Sequence, residues 1–218
     1  MSENLSRLLS ISSAAIAGPP SAEAIAKLTS GKSVGLEQEL GSLLGDKNGF
    51  FSYESALVVR PLDYESQPLG ILQWNNSSVW RAEHKVDLGE SVFFAEDVFG
   101  VQFCIRDNFV QSFDPETGRF TKTADTLESW ARWILEDHKV RTGWPLAHQW
   151  QTLHGALLPG TRLLPKVPFV CGGQFSTENL YALKDVHGMC FRASIANQLV
   201  GVPDGAKIVL KIQRNEQP

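Results

Sequence analysis

Five histidines and three cysteines are the side chains in this chain best suited to nucleophilic or metal chemistry, and neither set is spaced for it. A nucleophilic hydrolase needs a serine or cysteine on a sharp strand-to-helix turn, beside a histidine that a carboxylate orients. No G-x-S-x-G occurs, Cys104 falls within a predicted strand, and Cys171 and His187 are paired only numerically. Cys104 is expected to be an inert buried thiol. His84, His138, His148, His154 and His187 form neither H-E-x-x-H nor a partner to a C-x-x-C pair. His148 and His154, six apart, do not share a helix face. Cys171-Gly172-Gly173-Gln174 lacks both phosphate-loop patterns. The residues therefore point to no catalytic group, no metal and no cofactor.

Carboxylates are the remaining groups with chemical potential, and they are unevenly spread. Residues 1–82 carry a net charge of -2, residues 83–137 carry 5 basic and 12 acidic residues for a net -7, and residues 138–218 carry +5. An acidic central segment draws a cationic partner through its summed field. Direct nucleic-acid binding would need a concentrated cationic face, and a pI near 5.7 does not offer one. Lys207, Lys211 and Arg214 are the weak exception, read as aids to solubility or as contacts to the acidic middle.

The acidic segment surrounds a hairpin pattern. Val101, Phe103 and Ile105 alternate with Gln102, Cys104 and Arg106, Asp107-Asn108 supplies turn chemistry, and Phe109, Gln111 and Phe113 resume the alternation. This predicts a half-buried hairpin, closed by Asp114-Pro115-Glu116-Thr117-Gly118.

The stretch Val92 to Gly118 resembles the signature hairpin of the SUKH superfamily, which includes the yeast cell-wall assembly regulator and many bacterial antitoxin proteins. Asn48-Gly49-Phe50-Phe51-Ser52-Tyr53-Glu54-Ser55-Ala56-Leu57 is similar to the block in which bacterial members leave their first helices and enter the sheet, and Leu127-Glu128-Ser129-Trp130 to the opening of their closing helix. The resemblance covers about residues 35–140. It implies a protein-binding immunity protein whose partner is a cognate toxin with a basic domain, often a nuclease, neutralised by stoichiometric cover. A regulatory or scaffold adaptor is the alternative. On this reading Glu90, Glu96, Asp97, Asp107, Asp114 and Glu116 would meet the partner, although Asp97 and Asp114 are favoured as turn caps. Trp144, in a Gly-Trp-Pro loop, is a candidate aromatic anchor.

Around the hairpin the spacing predicts short elements. Leu5, Leu8 and Leu9 after Ser2, Ser21 to Leu28, and Leu36 to Leu44 read as helices, and Leu57 to Val59 as a strand. Trp74 and Trp80, flanking a turn, are expected as core anchors. Asp125 with Glu128 suggests a capping box, and Leu127, Trp130, Ala131, Ile134 and Leu135 mark one buried helix face. Ala147 to Leu153 suggests a further short helix, after the break at Gly143-Trp144-Pro145. Val167 to Cys171 and Asn179 to Leu183 read as strands, joined by a prolyl connection to what precedes them. Phe191, Ile195 and Leu199 predict a helix with Arg192 and Gln198 turned away, and Ile208, Leu210 and Ile212 a terminal strand.

At 218 residues, 43% hydrophobic and 20% charged, the chain has the composition of a globular protein able to bury its own core. Three widely spaced cysteines fit a reducing compartment, and the cytoplasm is expected. Leu8 to Gly18 imitates a signal peptide only faintly, because Glu3 offsets Arg7 and serines interrupt the apolar run. No segment reads as a membrane span. The expected architecture is α+β: a SUKH-like twisted, mostly antiparallel sheet covered by helices. An N-terminal helical segment (1–34) precedes it, and a C-terminal strand-helix-strand extension (141–218) packs beside it.

Overall fold

The computed structural model describes residues 2–31, 33–203, 205–207 and 209. The hairpin forms β4 (Gln102–Arg106) and β5 (Phe109–Asp114), paired from Arg106 opposite Phe109 to Gln102 opposite Phe113. Asp107 and Asn108 turn the chain at φ +52° and +60°, the mirror-image turn that matches strand twist. With β1 (Phe50–Ser52), β2 (Leu57–Val59), β3 (Val92–Asp97) and β6 (Arg119–Ala124) they make an antiparallel sheet in the order β1-β2-β3-β4-β5-β6. The α+β architecture is as the sequence implies.

Both faces of that sheet are covered. On one, Phe94, Phe103 and Ile105 share a core with α1 (Glu3–Ser10), α3 (Val34–Asp46) and α5 (Leu127–Glu136), through Leu8, Leu40, Trp130 and Ile134. On the other, Phe93, Cys104 and Phe113 meet Trp74 of α4 (Ile71–Trp74), Trp80, and Met189 of α8 (Asp185–Leu199). The hairpin is thus not half-buried along β4: Gln102, Phe103, Cys104 and Ile105 are all buried. Cys104 serves as a small hydrophobe, its thiol pushed up to about 12 by burial, and the Gln102 amide accepts from Trp74 Nε1 at 2.9 Å. Trp74 and Trp80 are core anchors, as expected.

Capping departs from the sequence pattern. Thr126 caps α5, with Ser129 completing the capping box, while Asp125 pairs with Lys122 at 2.6 Å. Glu128 instead reaches the start of α1. It accepts from the backbone N–H of Asn4 (2.9 Å) and Leu5 (3.0 Å), from the Asn4 amide (2.6 Å) and from the Ser2 hydroxyl. Ser2 itself caps nothing. Burial works against the charged form, yet these donors bring the Glu128 carboxyl down to about 2. Glu128→Ala is therefore expected to lower stability by about 1 kcal/mol, the usual value of a helix cap, measured by urea unfolding at neutral pH. Because its folded pKa lies below the ordinary carboxylate value, this contribution holds above about pH 4.5 and is lost as pH falls through about 2.

After α5 the chain forms α6 (His138–Thr142), α7 (Trp144–His154) and an antiparallel pair, β7 (Thr161–Pro165) with β8 (Leu180–Lys184). The strand expected at Val167 to Cys171 is a correction: it lies at β7, and Phe169–Cys171 is a 3-10 turn. Arg162 and Pro165 disguised β7, since a charge inside a strand reads as exposed until its partners are known. Arg192 is a second correction. It joins the buried face of α8 instead of turning away, donating to the carbonyls of Gly188 and Phe99. The terminal strand expected over Ile208 to Ile212 lies, apart from an exposed Val209, outside the described residues.

Candidate functional site

Three of the six candidate carboxylates lie inside. Glu96, on β3, is 1% exposed. Its Oε1 meets Arg60 Nη2 at 2.8 Å and Arg162 Nε at 2.9 Å, and its Oε2 accepts from Gln102 at 2.7 Å. Arg60 also holds Asp185 at 2.8 Å and lies 3.5 Å over the Trp74 ring. Burial alone would raise the Glu96 carboxyl, but Arg60, Arg162 and Gln102 outweigh it and hold it below its ordinary value. Two arginines and two carboxylates thus tie the sheet to β7 and α8 at the centre of the molecule.

Asp97 and Glu116 are also buried. Asp97 Oδ1 accepts from the N–H of Phe99 and of Val101, both at 2.9 Å, the turn-capping role favoured for it. Burial pushes its carboxyl up to about 7 against the pull of those donors and Arg192. Glu116 accepts from Val170 N–H at 3.0 Å and so fastens the β5–β6 turn to the loop after β7; its carboxyl is raised by burial. Asp114, half-buried, caps the same turn through Glu116 N–H (2.9 Å) and the Thr117 hydroxyl (2.8 Å). In this fold Glu96, Asp97 and Glu116 are corrected from partner contacts to interior supports, because each is enclosed and already bonded.

Glu90 and Asp107 remain exposed, and they share one end of the sheet. Arg106 Nη1 donates to the Asp87 carbonyl (3.1 Å) and to Ser91 Oγ (3.2 Å), which ties the loop before β3 to the hairpin tip. The same end therefore presents Asp87, also exposed. Arg106, 3.3 Å from the Asp107 carboxylate, and Arg81, which donates to the Gly89 and Ser91 carbonyls, are cations beside them.

The opposite end is aromatic. Trp144 opens α7, whose single buried residue is Ala147. Phe99, Tyr53, Trp150 and Phe169 are partly buried around a small core of Val98, Ala147, Leu163 and Leu180. Phe175 is 66% exposed and stacks on Phe169 at 4.0 Å, with Val170 and Val167 exposed in the same loop. Of this end the sequence reading found Trp144 alone. The available signal was W-x3-H-x-W-x3-H along α7, which sets His148 beside Trp144 and His154 beside Trp150 with their rings tilted by 34°.

The other chemically suggestive groups are closed. His84 is buried between the edges of Trp80 and Phe113, its pKa lowered to about 4 by burial and by Arg192. Among the described residues no three histidine, cysteine or acidic side chains come together as a metal-binding group. A groove of about 390 Å³ between α2 (Ala22–Leu28) and α3, lined by Pro19, Pro20, Ile25 and Gly41, holds no titratable side chain. Among the described residues no helix is long and apolar enough to cross a membrane.

No family model matches the chain, and no curated protein does. Among solved structures it is similar to the crystal structure of Atu4351 from Agrobacterium tumefaciens, at a TM-score of 0.63 and 14% identity over 88% of each chain. At that identity the likeness speaks to the fold alone.

Proposed function

We propose that this chain is a SUKH-type immunity protein, acting in the cytoplasm, that neutralises a cognate basic toxin domain by stoichiometric binding and transforms no substrate. The observation that carries the reading is the exposed acidic end built by the hairpin tip and the loop before β3, with Asp87, Glu90 and Asp107. The aromatic end supplies the other ingredient of a protein interface, half-buried tryptophan and phenylalanine rings. The buried carboxylates belong to the scaffold that holds the two ends apart.

Isolation of the protein at native abundance should recover one tight stoichiometric companion, a basic toxin domain that regains activity once separated. A loose, reversible signalling partner in its place would favour the adaptor. For the acidic end, the triple replacement of Asp87, Glu90 and Asp107 by lysine is expected to slow association about tenfold or more at low salt, with the difference shrinking as salt rises. Stopped-flow mixing measures this. An unchanged association rate would reject the acidic end as the docking surface.

A further inference from the structure

We propose that Tyr53, Glu54, Trp144 and His148 form a receptor for one guanidinium group, an arginine side chain of the protein partner. This rests on the reading of a basic protein partner and adds which side chain the aromatic end takes. The connection between β1 and β2 is the first reason. Tyr53, Glu54 and Ser55 run at φ +51°, +55° and +66°, three successive left-handed residues without a glycine among them, a backbone that a side chain with a Cβ resists. It is held there from the far part of the chain. Gln151 Nε2 donates to the Glu54 carbonyl at 2.8 Å and Arg162 Nη1 to the Ser55 carbonyl at 3.3 Å.

The product of that conformation is a row of rings with a carboxylate beside it. Tyr53 stacks on His138 at 4.4 Å and 11°, His138 lies 5.7 Å from Trp144, and Trp144 lies 5.5 Å from His148. Glu54 Oε2 sits 2.8 Å from His148 Nδ1, while Oε1 accepts no hydrogen bond from a described residue. The Glu54 and His148 side chains are 49% and 52% exposed, so the row opens to solvent. A guanidinium is planar and weakly hydrated: it stacks on a ring face and donates in its own plane to a carboxylate at the edge. An ammonium presents a hydrated point charge with less to gain from a ring, and an aliphatic side chain would desolvate Glu54 for nothing.

The test is a titration of the full chain with N-acetyl-arginine amide, followed by heteronuclear NMR at the Trp144 indole resonance, assigned through Trp144→Phe. N-acetyl-lysine amide and the neutral N-acetyl-citrulline amide are the comparators. The expected result is a saturable shift with the arginine probe, about fivefold weaker with lysine, absent with citrulline, and about fivefold weaker in Glu54→Gln. Resonances outside this end should match those of the unchanged protein in Glu54→Gln, which shows that the variant is folded. No shift at Trp144 with the arginine probe, or an equal shift with citrulline, would overturn the proposal. The titration contains no toxin, so its failure leaves the immunity reading standing, and failure to find a toxin leaves a positive titration standing.

Discussion

Glu96→Ala is expected to lower the stability of the fold by about 3–5 kcal/mol, whereas Glu90→Ala, also drawn from the acidic segment, should change it by less than about 0.5 kcal/mol. The reason is what the truncation leaves behind. Arg60 and Arg162 are each at most 2% exposed and both meet the same Glu96 oxygen. Arg60 Nε and Arg162 Nη2 are without partners among the described residues, so the site has no spare acceptor to offer. Removing the carboxylate strands positive charge in the interior, with Asp185 the one carboxylate left on Arg60 among the described residues and only backbone carbonyls left on Arg162. Urea unfolding at pH 7 measures both variants. If Glu96→Ala costs no more than Glu90→Ala, Glu96 is no interior support and its assignment to the scaffold fails.

Acidification should act on His84 and Asp97 in opposite directions. His84 has a folded pKa of about 4 against an ordinary value of 6.5, so the unfolded chain takes up its proton first as pH falls. That stabilisation is lost between pH 6.5 and 4, by roughly 2–3 kcal/mol. Asp97 has a folded pKa of about 7 against 3.8, so the native protein takes up its proton first, and stability from this group grows as pH falls from 7 towards 3.8. In the unchanged protein the two oppose each other between pH 4.5 and 6.5. His84→Phe, which keeps a ring between Trp80 and Phe113, should unmask the Asp97 slope and become more stable on acidification. Asp97→Asn keeps an oxygen for the Phe99 and Val101 N–H groups and should unmask the His84 loss. Denaturant midpoints from pH 4.5 to 7.5 in both variants decide the matter; parallel curves for all three proteins would refute the assigned titrations.

What the residues determined unaided was local. The β4–β5 hairpin follows from alternation and from Asp107-Asn108, since both the period and the positive φ are short-range demands. The buried face of α5 follows equally from the spacing of Leu127, Trp130, Ala131 and Ile134. Asp97 and Asp114 were legible as turn caps because their partners lie within four residues. Which carboxylate faces water was decided by the tertiary structure alone. Glu96 and Glu90 look alike in sequence, yet the partners of Glu96 lie 36 and 66 residues away, and Glu128 caps a helix more than 120 residues upstream. Aromatic rings from β1–β2, β3–β4, α7 and the loop after β7 likewise meet at one end only through the fold. Local pattern sets backbone period and turn, which depend on neighbours along the chain. Burial and ion pairing depend on neighbours in space, which one strand's alternation does not contain.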